Sequence, residues 1–161
     1  MRTLYLLRHA KSSWKDDSLA DFDRPLKKRG REAAELVGEL LASEKLRDVF
    51  VVSSPAKRTQ ETTEFALKKK KLKAKVQFDP DIYEADVLTL LRVLSRIDDQ
   101  HQTVIMVGHN PGMEDLVRYL TREVQAMPTA ALAKIRLEDN SWGEITPGAA
   151  TLEWLVAPND S

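Results

Sequence analysis

Short apolar runs alternate along the chain with longer segments in which hydrophobic residues recur at helical spacing. Strands are predicted at residues 3–8, 48–54 and 74–80 and in a run that begins at Thr103. Helices are predicted after Pro25, after Pro55, over residues 86–97 and in the segment that ends at Leu120. Because strands that alternate with helices build β-α-β units, this pattern predicts an α/β fold with helices on both faces of a sheet.

The last part of the chain has a different period. Residues 130–157 alternate polar and apolar positions around a turn predicted at Asn140 to Gly143. Period two is typical of half-buried strands, and a tight turn makes neighbouring strands antiparallel. The strand at residues 74–80 is the most polar, so we place it near an edge of the sheet. The predicted architecture is a three-layer α/β/α sandwich with a mostly parallel central sheet and an antiparallel edge.

Composition narrows the class of protein. The 161 residues suit one compact domain, residues 1–161. The 25 basic and 25 acidic side chains balance, which argues against nucleic acid or an anionic membrane as a partner. The chain has no cysteine, which excludes thiolate chemistry and favours a reducing compartment. The apolar runs are too short for a membrane span or a signal peptide, so we expect a cytoplasmic protein for which a monomer is plausible.

One charged segment, Lys68 to Lys75, departs from this balance. Cations at the carboxyl end of a helix interact favourably with the helix dipole, which is the simpler interpretation. The alternative is a docking patch for an acidic partner or nucleic acid, but the run lacks interleaved aromatic residues.

Three predicted strands end in side chains that carry chemistry. The first ends in Arg8 and His9, the second leads through Ser53-Ser54-Pro55 to Arg58, and the strand from Thr103 ends before His109. Ligands of open α/β sheets bind outside the carboxyl ends of the parallel strands, so these side chains are expected to meet. Two guanidinium groups bind the oxygens of a phosphoryl group, and a neutral histidine beside them attacks phosphorus. The sequence therefore predicts a phosphoryl-transfer site.

The same residues carry a family resemblance. "LLRHAKSSW", "SSPAKRTQET" and "VGHNPG" resemble, in order and register, three sequence blocks of the histidine phosphatase superfamily, the phosphoglycerate mutase-like proteins. The chain length, "RHAKSSW", "DRPL" and "GHNPG" are most similar to its SixA-type phosphohistidine phosphatases. The resemblance implies a phosphoglycerate mutase-like fold and a single histidine phosphatase domain.

The resemblance also implies roles for site residues. It makes His9 the nucleophile and places Arg8, Arg58 and His109 around the phosphate, with Ser12 as a further phosphate contact. Glu84 matches the place where many members carry the proton donor, although a carboxylate before a helix is also a common capping group.

Several positions depart from the family pattern. Ala10 replaces the usual glycine after the nucleophile, so its backbone is expected in a conformation open to L-residues. Lys15 stands where larger members place an asparagine that contacts phosphate. Lys27 replaces a capping threonine or serine, and Asp23 is expected to cap that helix instead. Arg24 is expected to pair with a carboxylate or to line the mouth of the site.

The resulting expectation is a phosphatase that needs no metal or other cofactor and acts through a phosphohistidine enzyme. The connections around the predicted site are short, which favours an open site and a phosphohistidine displayed on a protein. The alternatives are a phosphatase of small phosphoesters and a non-catalytic phosphate-binding module. His101 lies at the amino end of its predicted strand and is expected to take no part in the site.

Overall fold

The computed structural model describes residues 1–68 and 72–158. The strands are β1 (Arg2–Arg8), β2 (Asp48–Ser53), β3 (Lys73–Phe78), β4 (Thr103–Gly108), β5 (Leu132–Leu137) and β6 (Thr151–Val156). The helices are α1 (Lys28–Ser43), α2 (Lys57–Leu67), α3 (Val87–Ser95) and α4 (Gly112–Thr121), with short 3-10 helices at Asp21–Asp23 and Pro80–Ile82.

The strands form one sheet in the order β3-β2-β4-β1-β5-β6. Strands β3, β2, β4 and β1 are parallel, whereas β5 runs antiparallel to both β1 and β6. Strand β3 is an edge strand with mostly exposed side chains, as its polar sequence predicts. This confirms the mostly parallel sheet with an antiparallel edge.

Side chains of the central strands alternate between two apolar cores. Leu4, Leu6 and Met106 pack with α3 and α4 on one face of the sheet. Tyr5 and Leu7 point the other way and pack with α1 and α2. Because successive strand residues face opposite sides, the two cores produce the predicted three-layer α/β/α sandwich.

The turn predicted at Asn140 to Gly143 is present, but it does not close a hairpin. The Glu144 amide donates to the Ser141 carbonyl at 3.3 Å, whereas β5 ends at Leu137 and β6 begins at Thr151, so a longer segment joins the antiparallel strands. The intervening segment instead buries Trp142, whose indole donates a hydrogen bond to the His101 carbonyl at 2.7 Å. Burial of a side chain as large as tryptophan stabilises the folded protein, whereas a position in a hairpin turn would leave that side chain exposed to water.

The start of α1 also differs from the prediction. Asp23 does not cap this helix, since it lies in the 3-10 helix before it and Lys27 is the N-cap residue, without a side-chain hydrogen bond. Asp86 does cap α3, where it accepts a hydrogen bond from the Thr89 amide at 2.9 Å.

The lysine run falls on two elements. Lys68 is the C-cap residue of α2, and Lys73 and Lys75 belong to the edge strand β3. Residues 69–71 of the run lie outside the described residues. None of the helices within the described ranges is both long and apolar enough to cross a membrane.

Candidate active site

The register of β1 against β4 brings two histidines together. Arg8 is paired with Gly108, so His9 and His109 follow at the same level, and the His9 amide donates to the Gly108 carbonyl at 3.0 Å. Their ring centroids are 5.3 Å apart with an interplanar angle of 53°. Both residues are buried, with 8% and 9% of their surface exposed.

The protonation of His9 follows from its surroundings. Its Nδ1 lies 2.8 Å from the carbonyl oxygen of Ala10, which can only accept a hydrogen bond. Nδ1 therefore carries the proton, and Nε2 of the neutral ring keeps a free electron pair. Burial, followed by the positive charges of Arg58 and Arg8, lowers the pKa of His9 to about 4, although the bond to Ala10 acts in the opposite direction.

His109 has the complementary arrangement. Its Nε2 lies 2.8 Å from Ser54 Oγ, and the same hydroxyl oxygen accepts a hydrogen bond from the Ala56 amide. The Ser54 hydroxyl proton is free to be donated to Nε2, and in that tautomer the proton of the neutral ring lies on Nδ1. Nδ1 is buried and has no hydrogen-bond partner among the described residues. Burial first, and then repulsion by His9, lowers the pKa of His109 to about 3.

Two arginines approach the histidine pair from different elements. Arg8 ends β1 and donates from Nη1 to the Met127 carbonyl at 2.9 Å, while its buried Nε has no partner in the described part of the chain. Arg58 lies in the first turn of α2 and is 7% exposed. The positive charge of each lowers the pKa of both histidines, which shows that the four side chains form one electrostatic unit.

Asp21 links the charged groups at the mouth of this unit. Arg58 donates to its backbone carbonyl at 2.7 Å and to Oδ2 at 3.0 Å. Arg24 donates to Oδ1 at 2.9 Å, and the Tyr83 hydroxyl donates to Oδ2 at 2.6 Å. The bond from Tyr83, together with those from the two arginines, lowers the pKa of Asp21 to about 2.

Tyr83 connects the Asp21 carboxylate to the histidines. Its ring meets that of His109 edge to face, with centroids 5.4 Å apart, and meets that of Phe22 in the same way at 5.2 Å. Burial and the bond to Asp21 raise the pKa of Tyr83 to about 12. Its neighbour Glu84 is exposed, has a left-handed backbone (φ 54°), and contributes negative charge near the Tyr83 hydroxyl.

The remaining residues highlighted by the sequence lie around this centre. The Ser12 hydroxyl accepts a hydrogen bond from Arg24, whose guanidinium carbon lies 3.2 Å from the Trp14 ring centroid. Lys15 is exposed. Ala10 is fully buried and has no positive φ, which confirms the expected backbone conformation.

The sequence did not identify Ser54, Asp21 or Tyr83 as site residues. Ser54 could have been found, because it lies at a strand end that was already expected to face the site. No local sequence signal distinguishes Asp21 from Asp23. Both lie in the same 3-10 helix, but Asp23 makes no comparable contacts. The expectation that only short connections border the site was wrong, because the long β1–α1 connection brings Asp21 onto Arg58.

The described residues contain no group of three histidine, aspartate or glutamate side chains arranged to hold a metal ion. The polar side chains around His9 are mainly cationic, and such a set suits a tetrahedral anion rather than a cation.

Comparison with known proteins defines the class. The family model of the histidine phosphatase superfamily (branch 1) matches residues 4–90. A solved structure of SixA from Agrobacterium tumefaciens, described as a proposed phosphohistidine phosphatase, superposes with a TM-score of 0.83 and 27% identity, covering 98% of this chain and 99% of that one. This agreement defines a phosphatase with the phosphoglycerate mutase-like fold and confirms the likeness to the SixA type.

Two sequence relatives extend over most of the chain. An uncharacterised chloroplastic protein of Arabidopsis thaliana is 35% identical and covers 99% of this chain and 79% of its own length. An uncharacterised protein of Mycobacterium tuberculosis is 30% identical, covering 94% of this chain and 99% of its own. The chain therefore belongs to the histidine phosphatase superfamily.

Proposed function

We propose that this chain is a metal-independent phosphatase that acts through a phosphohistidine intermediate on His9, with protein phosphohistidine as its substrate. The observation that carries the proposal is the pairing of a free electron pair on His9 Nε2 with the buried, unpartnered Nδ1 of His109, beside the buried Arg58 and the half-buried Arg8. A phosphoryl group needs one nucleophile and several donors to its oxygens, and this arrangement supplies both.

In the first step, His9 Nε2 attacks phosphorus and forms an N–P bond. The bond from phosphorus to the leaving atom breaks, and the leaving group takes that electron pair and a proton from the carboxyl group of Glu84. Arg8, Arg58 and His109 donate hydrogen bonds to the phosphoryl oxygens, where charge is spread in the transition state. The protein holds these hydrogen-bond donors in place before the substrate binds, so little free energy is needed to orient them in the transition state.

In the second step, water attacks the phosphoryl group on His9. The N–P bond breaks, inorganic phosphate leaves, and the electron pair returns to Nε2. Because burial and neighbouring arginines keep the ring neutral above a pH of about 4, the regenerated nucleophile is ready for a second cycle at neutral pH.

Two observations support the proposed substrate class: the similarity to SixA and the exposure of the mouth of the site. The SixA structure, which covers 98% of this chain, is described as a proposed phosphohistidine phosphatase. The Asp21 side chain at the mouth is 46% exposed, so the cluster reaches the molecular surface, where a phosphoryl group carried by another protein can approach.

The test is phosphate release from p-nitrophenyl phosphate in excess chelator by the unmodified chain and by His9→Ala and His109→Ala. We expect His9→Ala to abolish turnover and His109→Ala to lower kcat/KM by about a hundredfold or more. His101→Ala is the matched control and is expected to keep full activity. Equal activity in the unmodified chain and His9→Ala, or loss of activity in chelator alone, would contradict the proposal.

Glu84 is proposed as the proton donor to the leaving group. Nitrophenolate leaves readily without a proton, whereas an alkoxide does not. Glu84→Gln is therefore expected to lower kcat on an alkyl phosphate by about a hundredfold and on p-nitrophenyl phosphate much less. Equal effects on both substrates would assign Glu84 a structural role at the start of α3.

A further inference from the structure

Exposed apolar side chains are concentrated in the connection between β1 and α1. Trp14, Leu19 and Phe22 expose 76%, 38% and 39% of their surface within this one segment. The other large exposed apolar residues of the described surface occur singly or in pairs: Val76 with Phe78 on β3, Leu36 with Val156 around one shallow pocket, and Met1, Leu88 and Val124. Isolated exposed apolar residues are ordinary, but a concentration of them marks a binding surface.

The exposed indole of Trp14 rests on an ordered support. The Arg24 guanidinium below the ring is 7% exposed and is fixed by the Ser13 carbonyl at 3.2 Å and by Asp21 Oδ1 at 2.9 Å. A cation over an aromatic face is favourable, and it limits the motion of the ring. An aromatic group that is already held in place loses little entropy when a partner covers it.

This surface is continuous with the histidine pair. Arg24 and Arg58 bind the same Asp21 carboxylate, so the support of Trp14 is tied to the phosphate pocket. On the other side, Phe22 packs against Tyr83, and Tyr83 packs against the ring of His109. Trp14, Phe22 and Tyr83 are called the aromatic rim below.

We propose that the aromatic rim is the docking surface for the protein that carries the phosphoryl group; this proposal rests on the proposed function. A substrate that places phosphorus beside His9 lies next to the rim, because the rim residue Tyr83 packs against His109, whose ring lies 5.3 Å from that of His9. A small phosphoester has too few atoms to fill the pocket and also cover an indole that is three-quarters exposed. A protein does both, and tryptophan and tyrosine are the residues that most often dominate the binding energy of protein interfaces.

The experiment compares two substrates that share the same scissile P–N bond. One is phosphoimidazole, and the other is a histidine-containing phosphotransfer domain phosphorylated with phosphoramidate. We expect Trp14→Ala to lower kcat/KM for the phosphorylated domain at least about tenfold more than for phosphoimidazole. Phe22→Ala, which removes a second side chain of the rim and leaves Arg24 in place, is also expected to lower kcat/KM more for the phosphorylated domain than for phosphoimidazole.

Val124→Ala is the matched control, since Val124 is 80% exposed and lies outside the β1–α1 connection. It is expected to leave both rates unchanged. Circular dichroism of each variant verifies that it is folded.

Equal losses on the two substrates, or no loss on either, would overturn the docking proposal. Turnover of phosphoimidazole without turnover of the phosphorylated domain by the unmodified chain would overturn it as well. A dimer seen by sedimentation velocity and removed by Trp14→Ala would assign the rim to a second copy of this chain. Absence of turnover on both substrates would instead count against the proposed function.

Discussion

At the scale of single residues, the proposed chemistry depends on the neutrality of His9 and His109. Burial is the largest cause for both, and it lowers their pKa values to about 4 and about 3 from an ordinary value near 6.5. A lowered pKa means that the ring gains its proton only at lower pH. The proposed nucleophile therefore remains active through the range in which an exposed histidine becomes cationic.

A titration of the two histidine rings tests their neutrality. In NMR spectra recorded as the pH falls from 8 to 5, the ring protons of His9 and His109 are expected to keep the shifts of neutral imidazole. Arg58→Gln removes a positive charge near both rings and is expected to raise both pKa values, whereas Arg47→Gln on the exposed surface is expected to leave them in place. Titration of either ring near pH 6.5 in the unmodified chain would show that burial does not control its charge.

Asp21 provides the second test at this scale. It accepts hydrogen bonds from Arg58, Arg24 and Tyr83, so we assign it the part of a positioning residue for Arg58. Hydrogen bonds to a charged group contribute about 1.5–3 kcal/mol, so Asp21→Asn is expected to lower kcat/KM by about tenfold or more. Asp23→Asn, in the same 3-10 helix, is expected to have no effect. An Asp21→Asn variant with full or higher activity would mean that the carboxylate only competes with the phosphoryl group for Arg58.

At the scale of elements, helix α1 supports the loop that follows His9. The Lys27 amide donates to the Lys11 carbonyl at 3.0 Å, and a Cβ atom added to Gly30 would lie 2.1 Å from the same oxygen. The absence of a side chain at Gly30 thus allows the helix to pack directly on the backbone of the active-site loop.

Gly30→Ala is therefore expected to displace α1 from the loop. Overpacking of this kind costs about 1–3 kcal/mol, and each kcal/mol lowers the Tm of a chain of this size by about 2–4 °C. Phosphatase activity is expected to fall with it, because the loop begins at His9. Gly143→Ala is the matched control, since its nearest neighbour would lie at an ordinary 3.6 Å. A Gly30→Ala variant as stable and active as the control would contradict this account of the helix–loop contact.

The elements also show where sequence patterns are sufficient. Arg8 ends one buried parallel strand, and His9 and His109 directly follow two of them, so hydrophobic periodicity together with the strand-end rule was enough to predict that they meet. Asp21 and Tyr83 lie in connections, whose paths depend on tertiary contacts that no local period encodes. For the same reason the turn predicted at Asn140 to Gly143 does not close a hairpin, since the burial of Trp142 decides the course of the segment between β5 and β6.

At the scale of the whole molecule, the sheet order places the chemistry at its centre. Strand β1 lies between β4 and β5. The segments that follow β1 and β4 therefore lie at the same edge of the sheet, and β5 flanks β1 on the side opposite β4. The Ala130 amide, just before β5, donates to the His9 carbonyl at 3.0 Å. The antiparallel edge thus fixes the backbone of the proposed nucleophile from the side opposite β4.

The central claim is that the phosphoryl group passes through His9, and a trapped intermediate tests it most directly. The chain is mixed with substrate, quenched in alkali to preserve phosphohistidine, digested, and sequenced by tandem mass spectrometry. We predict a phosphoryl group on His9 that forms faster than inorganic phosphate is released and that is absent from His9→Ala. A phosphoryl group on another residue, or steady turnover by His9→Ala, would contradict it.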